Sequence, residues 1–139
     1  LLPKEEKLNK LKIGIGSIGD LEKPMNEIAF FDLLKNKLGL KYLRHTNKLN
    51  KKISKVSVVV GSGSFAIKDS IESNVDAFIT SDFKYHNFFE ADNKAILIDI
   101  GHYESEKHIK LFIKEFLNKK LPNFTVLLSE QNINPVNYY

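Results

Sequence analysis

The chain reads I-L-I-D-I-G-H-Y-E-S-E at Ile96–Glu106, where an apolar run passes through a glycine into a charged helix start. Ala95–Ile98 has the continuous apolar character of a buried strand, and Gly101 interrupts the run. The following residues repeat apolar side chains at helical spacing, namely Ile109, Phe112, Ile113, Phe116 and Leu117. The stretch therefore predicts a buried strand followed by a long helix over His102–Lys120, the repeating unit of an α/β fold.

The same alternation of strand and helix patterns extends outward over most of the chain. Further strands are predicted at Ile13–Ser17, Lys41–His45, Lys55–Val60, Ala77–Thr80 and Phe124–Leu128, and further helices at Asn26–Leu38, Phe65–Ser73 and Tyr85–Ala91. Strands that alternate with helices need crossover connections, which favour parallel pairing. The pattern predicts a three-layer sandwich with a mixed, mostly parallel sheet and helices on both faces.

The helix predicted at Asn26–Leu38 carries recognisable end signals. Pro24 marks its entry, Asn26 is the expected N-cap, and Gly39 is the expected stop. Its spacing predicts a buried stripe made of Ile28, Phe31, Leu34 and Leu38.

His102 and Glu106 stand four residues apart at the start of the long helix, which places both side chains on one face. An imidazole and a carboxylate so placed, just past the carboxyl end of a strand, can both reach one divalent metal ion. On spacing alone, a solvated surface pair is the commoner explanation.

Five stretches together resemble the NGG-interacting-factor-three-like family of dinuclear metal proteins, often labelled GTP cyclohydrolase I type 2 homologues. They are G-I-G-S-I-G-D-L-E-K-P-M (Gly14–Met25), V-V-V-G-S-G-S (Val58–Ser64), F-I-T-S-D-F-K-Y-H (Phe78–His86), I-D-I-G-H-Y-E-S-E (Ile98–Glu106) and S-E-Q-N-I-N-P-V-N-Y (Ser129–Tyr138). They occur in the family's order and cover nearly everything from Gly14 onward.

The resemblance implies that part of the metal site is supplied elsewhere. Family members carry an N-terminal half with two adjacent histidines and a later aspartate, whereas this sequence has four histidines and no adjacent pair. The chain is therefore expected to be a C-terminal half, with residues 1–12 as a connector and 13–139 as the α/β domain. R-H-T-N at Arg44–Asn47 superficially resembles the missing aspartate motif but lacks the aspartate, and we interpret it as a coincidence.

By the same resemblance, His102 and Glu106 are the expected metal ligands, in a site that holds two divalent ions. Asp82 and His86 are expected near the metals without binding them directly, where they orient a ligand or carry a proton. The alternatives are that Asp82 caps a helix and that His86 is a packed core histidine. Asp99 is a candidate partner for His102 or a helix cap. Glu104 is a poorer ligand candidate because it points elsewhere on the helix.

The turn at Gly61, Ser62 and Gly63 lies between a predicted strand and helix, as in phosphate-cradling turns. It has no lysine where a Walker loop requires one, and it is too short for a dinucleotide fingerprint. The alternative is a tight turn in which the glycines only permit positive φ.

Two functions follow from the resemblance. The first is a metal-dependent hydrolase acting on a nucleotide or another phosphate-bearing small molecule, with this half inactive alone. The second is a non-catalytic metal-binding scaffold or regulatory interaction protein. Homo-oligomers, rings of dimers in the family, are also implied, and terminal aromatics such as Tyr138 and Tyr139 are consistent with contact surfaces.

The composition of the chain restricts the candidate metals, binding partners and cellular locations. The chain has no cysteine, so nitrogen and oxygen must bind any metal, which suits zinc, iron, manganese, cobalt or nickel. The net charge of +4 comes from lysines spread among acidic residues, so nucleic-acid binding is not expected. No apolar run is long enough for a bilayer, and the first residues lack a signal peptide's pattern, so we expect no membrane contact and a cytoplasmic location.

Overall fold

The central sheet has five strands in the order β3-β5-β6-β7-β4, in a computed structural model that describes residues 6–8, 11–131 and 133–137. The strands are β1 (Glu6–Leu8), β2 (Leu11–Ile13), β3 (Ser17–Asn26), β4 (Arg44–His45), β5 (Lys52–Ser62), β6 (Ala77–Ser81) and β7 (Ile96–Asp99). The helices are α1 (Glu27–Leu38), α2 (Ile67–Glu72), α3 (His102–Glu106) and α4 (Ile109–Lys120), with 3₁₀ segments at Ser64–Ala66 and Tyr85–Ala91. The chain divides into two compact units, Leu1–Ser105 and Glu106–Tyr139.

The three central strands of the sheet, β5, β6 and β7, are parallel, and antiparallel strands close both edges. Val58 pairs with Ile79, and Ile79 pairs with Ile98, so the carboxyl ends of the parallel strands lie at one edge. The predicted mixed α/β sheet is thus confirmed.

Two hydrophobic cores cover the two faces of this sheet. On one face Phe30 and Phe31 of α1 pack over alternate strand residues, including Ile79 and Ile98. On the other face the intervening residues, Phe78 and Leu97, pack with residues of the α2 region. Because successive strand residues point to opposite faces, strands this apolar must be covered on both sides.

The predicted ends of α1 are confirmed. The amide of Ala29 donates to the Asn26 side chain at 2.8 Å, and Gly39 ends the helix with φ of 61°. The predicted buried stripe was partly wrong, because Ile28 is 52% exposed while Phe30 is buried beside Phe31.

The segment before α1 differs from its prediction. β3 runs through Pro24 to Asn26, whereas the sequence predicted a strand at Ile13–Ser17 and a helix entry at Pro24. β3 is an edge strand, and its pairing with β5 shifts register between Asp20 and Met25, so Pro24 need not donate to the ladder. Strands β1 and β2 pair at the predicted connector, whose residues 1–5 and 9–10 lie outside the described part.

The end of the chain also departs from its prediction. The predicted helix over His102–Lys120 is two helices, α3 and α4, separated by Lys107 and His108, and nothing in the sequence there explains the break. Within the described residues no strand forms at Phe124–Leu128, so that prediction was wrong. A strand needs a neighbour for its amides and carbonyls, and no ladder partner pairs with this segment.

Candidate metal centre

Three turns follow the carboxyl ends of the parallel strands. Ser62 pairs with Ser81 and Thr80 pairs with Asp99, so the three strands end side by side. The amide of Ile100 then donates to the carbonyl of Thr80 at 3.0 Å, which ties the turn after β7 to β6. Open α/β sheets hold their ligands at this edge.

At this edge the structure brings together two candidate residues that stand 20 positions apart. His102 Nδ1 lies 2.5 Å from Asp82 Oδ2, and the two side chains are each 48% exposed. An ionised carboxylate only accepts hydrogen bonds, so the contact favours the tautomer with the proton on Nδ1. The lone pair of the neutral ring then lies on Nε2, the arrangement common among metal-binding histidines.

Asp82 adopts a backbone conformation that is unusual for a residue with a side chain. Its φ is 61°, in the left-handed region, which aspartate enters more readily than most residues. The next amide, that of Phe83, donates to Asp99 Oδ2 at 3.0 Å and fixes the turn.

Asp99 is buried at the end of β7, with 4% of its surface exposed. Its Oδ1 accepts from the Gly101 amide at 3.0 Å, and its Oδ2 accepts from Phe83 and from the guanidinium of Arg44. None of these bonds goes to His102, so the hypothesised Asp99–His102 contact is not formed, and Asp82 contacts His102 instead. The Asp99 side chain closes a local turn by accepting from the Gly101 amide, just before α3 begins. This role resembles the helix cap that the sequence analysis gave as the alternative.

Arg44 is a residue that the sequence analysis missed. We interpreted R-H-T-N as a coincidence, yet Arg44 on β4 donates to Asp99 and to the carbonyl of Phe83 at 2.9 Å. The one sequence signal that could have pointed to Arg44 is indirect. Asp99 directly follows a predicted buried strand, and a buried aspartate needs a charged or hydrogen-bonding partner.

Backbone conformation accounts for Gly61, near the end of β5, and packing accounts for Gly63, in the turn that follows. Gly61 has φ of 72°, its amide donates to the Ser105 hydroxyl at 3.0 Å, and its carbonyl accepts from Thr80 at 2.9 Å. A side-chain carbon on Gly63 would lie 2.8 Å from Val59 Cβ. The Ser105 hydroxyl donates to the His102 carbonyl at 2.8 Å, so this turn also holds the start of α3.

The other two predicted site residues are His86 and Glu106. His86 is exposed in the second 3₁₀ segment, so it is not a packed core histidine, and it makes no hydrogen bond to Asp82 or His102. Glu106 is the last residue of α3, four positions after His102. In the part of the chain that the structure describes, no three His, Asp or Glu side chains converge as a metal-holding group. The side chains of His102 and Glu106 carry nitrogen and oxygen donors of the kinds that divalent ions bind.

A comparison with family models identifies the chain. The model described as Duf34/NIF3 (NGG1p interacting factor 3) matches residues 2–135. The chain belongs to this family. A relative from Clostridium perfringens named GTP cyclohydrolase 1 type 2 homolog is 35% identical over 111 residues, 78% of this chain and 42% of its own length. A Staphylococcus epidermidis relative of the same name is 35% identical over 139 residues, 95% of this chain and 37% of its own length. The chain thus spans about two fifths of these Duf34/NIF3 relatives.

Solved structures agree with this membership. A Staphylococcus aureus protein, SA1388, superposes with a TM-score of 0.78 at 27% identity, covering 91% of this chain and 42% of that one. A Bacillus cereus protein related to NIF3 also gives 0.78, at 26% identity, covering 93% and 37%. Reduced HcgD from Methanocaldococcus jannaschii shares the fold, with a TM-score of 0.62 at 22% identity, covering 78% and 44%. No helix in the described ranges has the length and apolar character to cross a membrane.

Proposed function

We propose that this chain is the C-terminal half of a metal-dependent hydrolase with a dinuclear site, in which His102 and Glu106 are metal ligands. The observation that carries the proposal is the contact of His102 Nδ1 with the Asp82 carboxylate at the carboxyl edge of the parallel strands. Zinc, iron, manganese, cobalt and nickel all suit such nitrogen and oxygen donors. The remaining ligands would come from the half that the longer relatives possess.

In the proposed mechanism, the residues of this chain bind the metal ions and orient the ligand side chains. The Asp82 carboxylate accepts a hydrogen bond from Nδ1–H of His102, which raises the basicity of the ring and fixes its plane, and Glu106 would supply a negatively charged oxygen. When bound, a pair of divalent ions lowers the pKa of a water molecule to about 7 and polarises the bond under attack. His86, exposed in the neighbouring 3₁₀ segment, would carry a proton in this mechanism.

The proposed substrate is a nucleotide or another phosphate-bearing small molecule. Its support is the name GTP cyclohydrolase 1 type 2 homolog, which the relatives carry. At the end of β5 and in the turn after it, Gly61 and Gly63 are buried and Ser62 is exposed. A phosphate contact at this turn would therefore be made mainly by Ser62, since the Gly61 amide already donates to Ser105.

The test is turnover of GTP and of simple phosphoesters by the full-length protein loaded with Zn²⁺ or Mn²⁺. We expect Glu106→Gln to abolish turnover and Glu104→Gln, a carboxylate on another side of the helix, to preserve it. Equal activity in the two variants would contradict the assignment of Glu106. Metal binding without any turnover would favour the alternative, a metal-binding scaffold or regulatory protein.

We also propose that the protein forms homo-oligomers, as the family resemblance implies. Light scattering of the full-length protein should give a mass several times that of one chain. A monomer at high concentration would refute this proposal. Tyr138 and Tyr139, which we associate with such contacts, lie outside the described residues.

A further inference from the structure

We infer that Asp99 is a positioning residue that holds the Asp82 and His102 side chains in register with each other. The inference rests on the proposed function in one respect, because metal binding is the reason to hold Asp82 and His102 in a fixed geometry. The structural part concerns only hydrogen bonds among residues of this chain, and it can be measured without metal.

The argument begins with what one buried carboxylate joins. The two oxygens of Asp99 accept the amides of Phe83 and Gly101, each at 3.0 Å. Phe83 directly follows Asp82, and Gly101 directly precedes His102. The two turns that present the carboxylate and the imidazole are therefore fixed to the same group, one residue away from each side chain.

Arg44 completes this arrangement. Its guanidinium donates both to Asp99 and to the carbonyl of Phe83, so it spans the same turn from the outer strand β4. The Asp99 side chain is 3% exposed and that of Arg44 is 60% exposed. The ion pair therefore joins a buried carboxylate to a largely solvated arginine side chain. An ionised carboxylate is stable in such a place only when it is paired and hydrogen-bonded. The planar fork of arginine can serve two acceptors at once, which an ammonium group does less rigidly.

Asp82 needs this external support. Its φ of 61° lies in the left-handed region, which costs free energy for a residue with a side chain, so neighbouring contacts help to hold it there. His102 opens α3, a helix of five residues that is too short to be stable by itself. Without Asp99, the turn at Asp82 would lose the bond of the Phe83 amide and the turn at His102 would lose that of the Gly101 amide, so the contact of the two side chains would be one of several arrangements.

The experiment compares Asp99→Asn with Asp76→Asn by ¹⁵N nuclear magnetic resonance of the His102 ring, in metal-free protein at one fixed pH. Asp76 is the matched control, because its carboxylate also accepts two backbone amides, those of Ser54 and Lys55. We expect Asp99→Asn to move the Nδ1 resonance toward that of a mixture of tautomers. Asp76→Asn should leave it unchanged, although both variants lose stability.

Arg44→Lys provides a second variant with a solvent-exposed side chain, and it decides the matter if Asp99→Asn does not fold. It should produce a smaller change of the same sign. An unchanged His102 resonance in the folded variants, or an equal change in Asp76→Asn, would overturn the inference.

A Zn²⁺ titration of the full-length protein, with and without the same substitutions, separates this inference from the proposed function. Asp99→Asn should lower the Zn²⁺ affinity measured at His102 by about 10- to 100-fold, the usual effect of losing a group behind a ligand. If wild-type protein shows no response to Zn²⁺ while the metal-free spectra differ as expected, the positioning role stands and the metal function fails.

Discussion

Asp76 precedes β6 and joins it to the start of β5 at the end of the sheet away from the candidate site. Its Oδ2 accepts from the amides of Ser54 and Lys55 and from the Ser54 hydroxyl, each at 2.9 Å. Burial acts to raise the pKa of Asp76, but these bonds and that of Lys51 outweigh it and lower the pKa below its usual 3.8. The folded state therefore stabilises the ionised carboxylate of Asp76 relative to its neutral form.

We expect Asp76→Asn to lower the free energy of unfolding by about 1–3 kcal/mol at pH 7, because charge-assisted bonds become neutral ones. A carboxyl with a lowered pKa stabilises above its unfolded pKa of about 3.9, and the effect disappears as the pH falls through its folded pKa. Urea denaturation at pH 7 and at about pH 3 should show the difference between variant and wild type shrinking. Asp92→Asn is the control, since Asp92 and Lys94 form an exposed pair. A difference that persists in acid would contradict this account.

Gly63 tests whether the turn after β5 is shaped by packing. A methyl group there would lie 2.8 Å from Val59 Cβ and would collide with the buried Thr80 hydroxyl. We expect Gly63→Ala to destabilise the protein by about 1–3 kcal/mol. Gly19→Ala on β3 is the matched control, because nothing lies within 4 Å of the new carbon. It should be neutral or stabilising by about 0.5 kcal/mol. Equal denaturation midpoints would refute the packing explanation.

At the scale of elements, α3 depends on its neighbours. Five residues cannot form a stable helix alone, and Ser105 links α3 to the Gly61 turn through its hydroxyl. We expect Ser105→Ala to leave the buried Gly61 amide without its partner, at a cost of about 1–3 kcal/mol. Hydrogen exchange should increase at residues 102–105.

The control for this change is Ser73→Ala, whose hydroxyl donates to a carbonyl within its own helix region and joins no second segment. That variant should exchange faster only near α2. Unchanged protection at residues 102–105 in Ser105→Ala would show that α3 is held by other contacts.

Elements defined by local chemistry could be predicted from the sequence, and elements defined by pairing could not. Asn26 and Gly39 fix the ends of α1 through bonds within a few residues, and their signals are readable. Pro24 belongs to a strand only because β3 lies at an edge, which depends on the whole sheet. Phe124–Leu128 has strand-like residues, but no partner strand pairs with it in the ranges 6–8, 11–131 and 133–137.

The candidate site shows the same division. His102 and Asp82 could be expected at one edge because each follows a parallel strand, and their contact agrees with that rule. Arg44 lies 55 residues from Asp99 in sequence, and no local pattern marks that pairing. A single arginine beside an edge strand is usually a solvated side chain.

At the scale of the whole molecule, the number of ligands limits metal binding. Metal-binding sites usually offer at least three protein ligands, and this chain is expected to supply two. A ligand present below its dissociation constant adds less than about 0.5 kcal/mol of stability. We therefore expect the same melting temperature with and without EDTA. Tight stoichiometric Zn²⁺ in calorimetry, or a large fall in melting temperature with EDTA, would mean that Asp82, His86 or a neighbouring copy completes the site.

The position of β4 in the sheet has a consequence for folding kinetics. β5, β6 and β7 follow one another in the chain, whereas β4 precedes all three and, in the part of the chain that the structure describes, pairs with β7 alone, the last of the three in the sequence. Contacts that close long loops tend to form late. We expect Ile96→Val to give φ-values of about 0.5–0.8 and Arg44→Met about 0–0.3 in stopped-flow refolding. The transition state would then contain the parallel strands without the Arg44 contact, so Arg44→Met should speed unfolding while leaving the folding rate nearly unchanged.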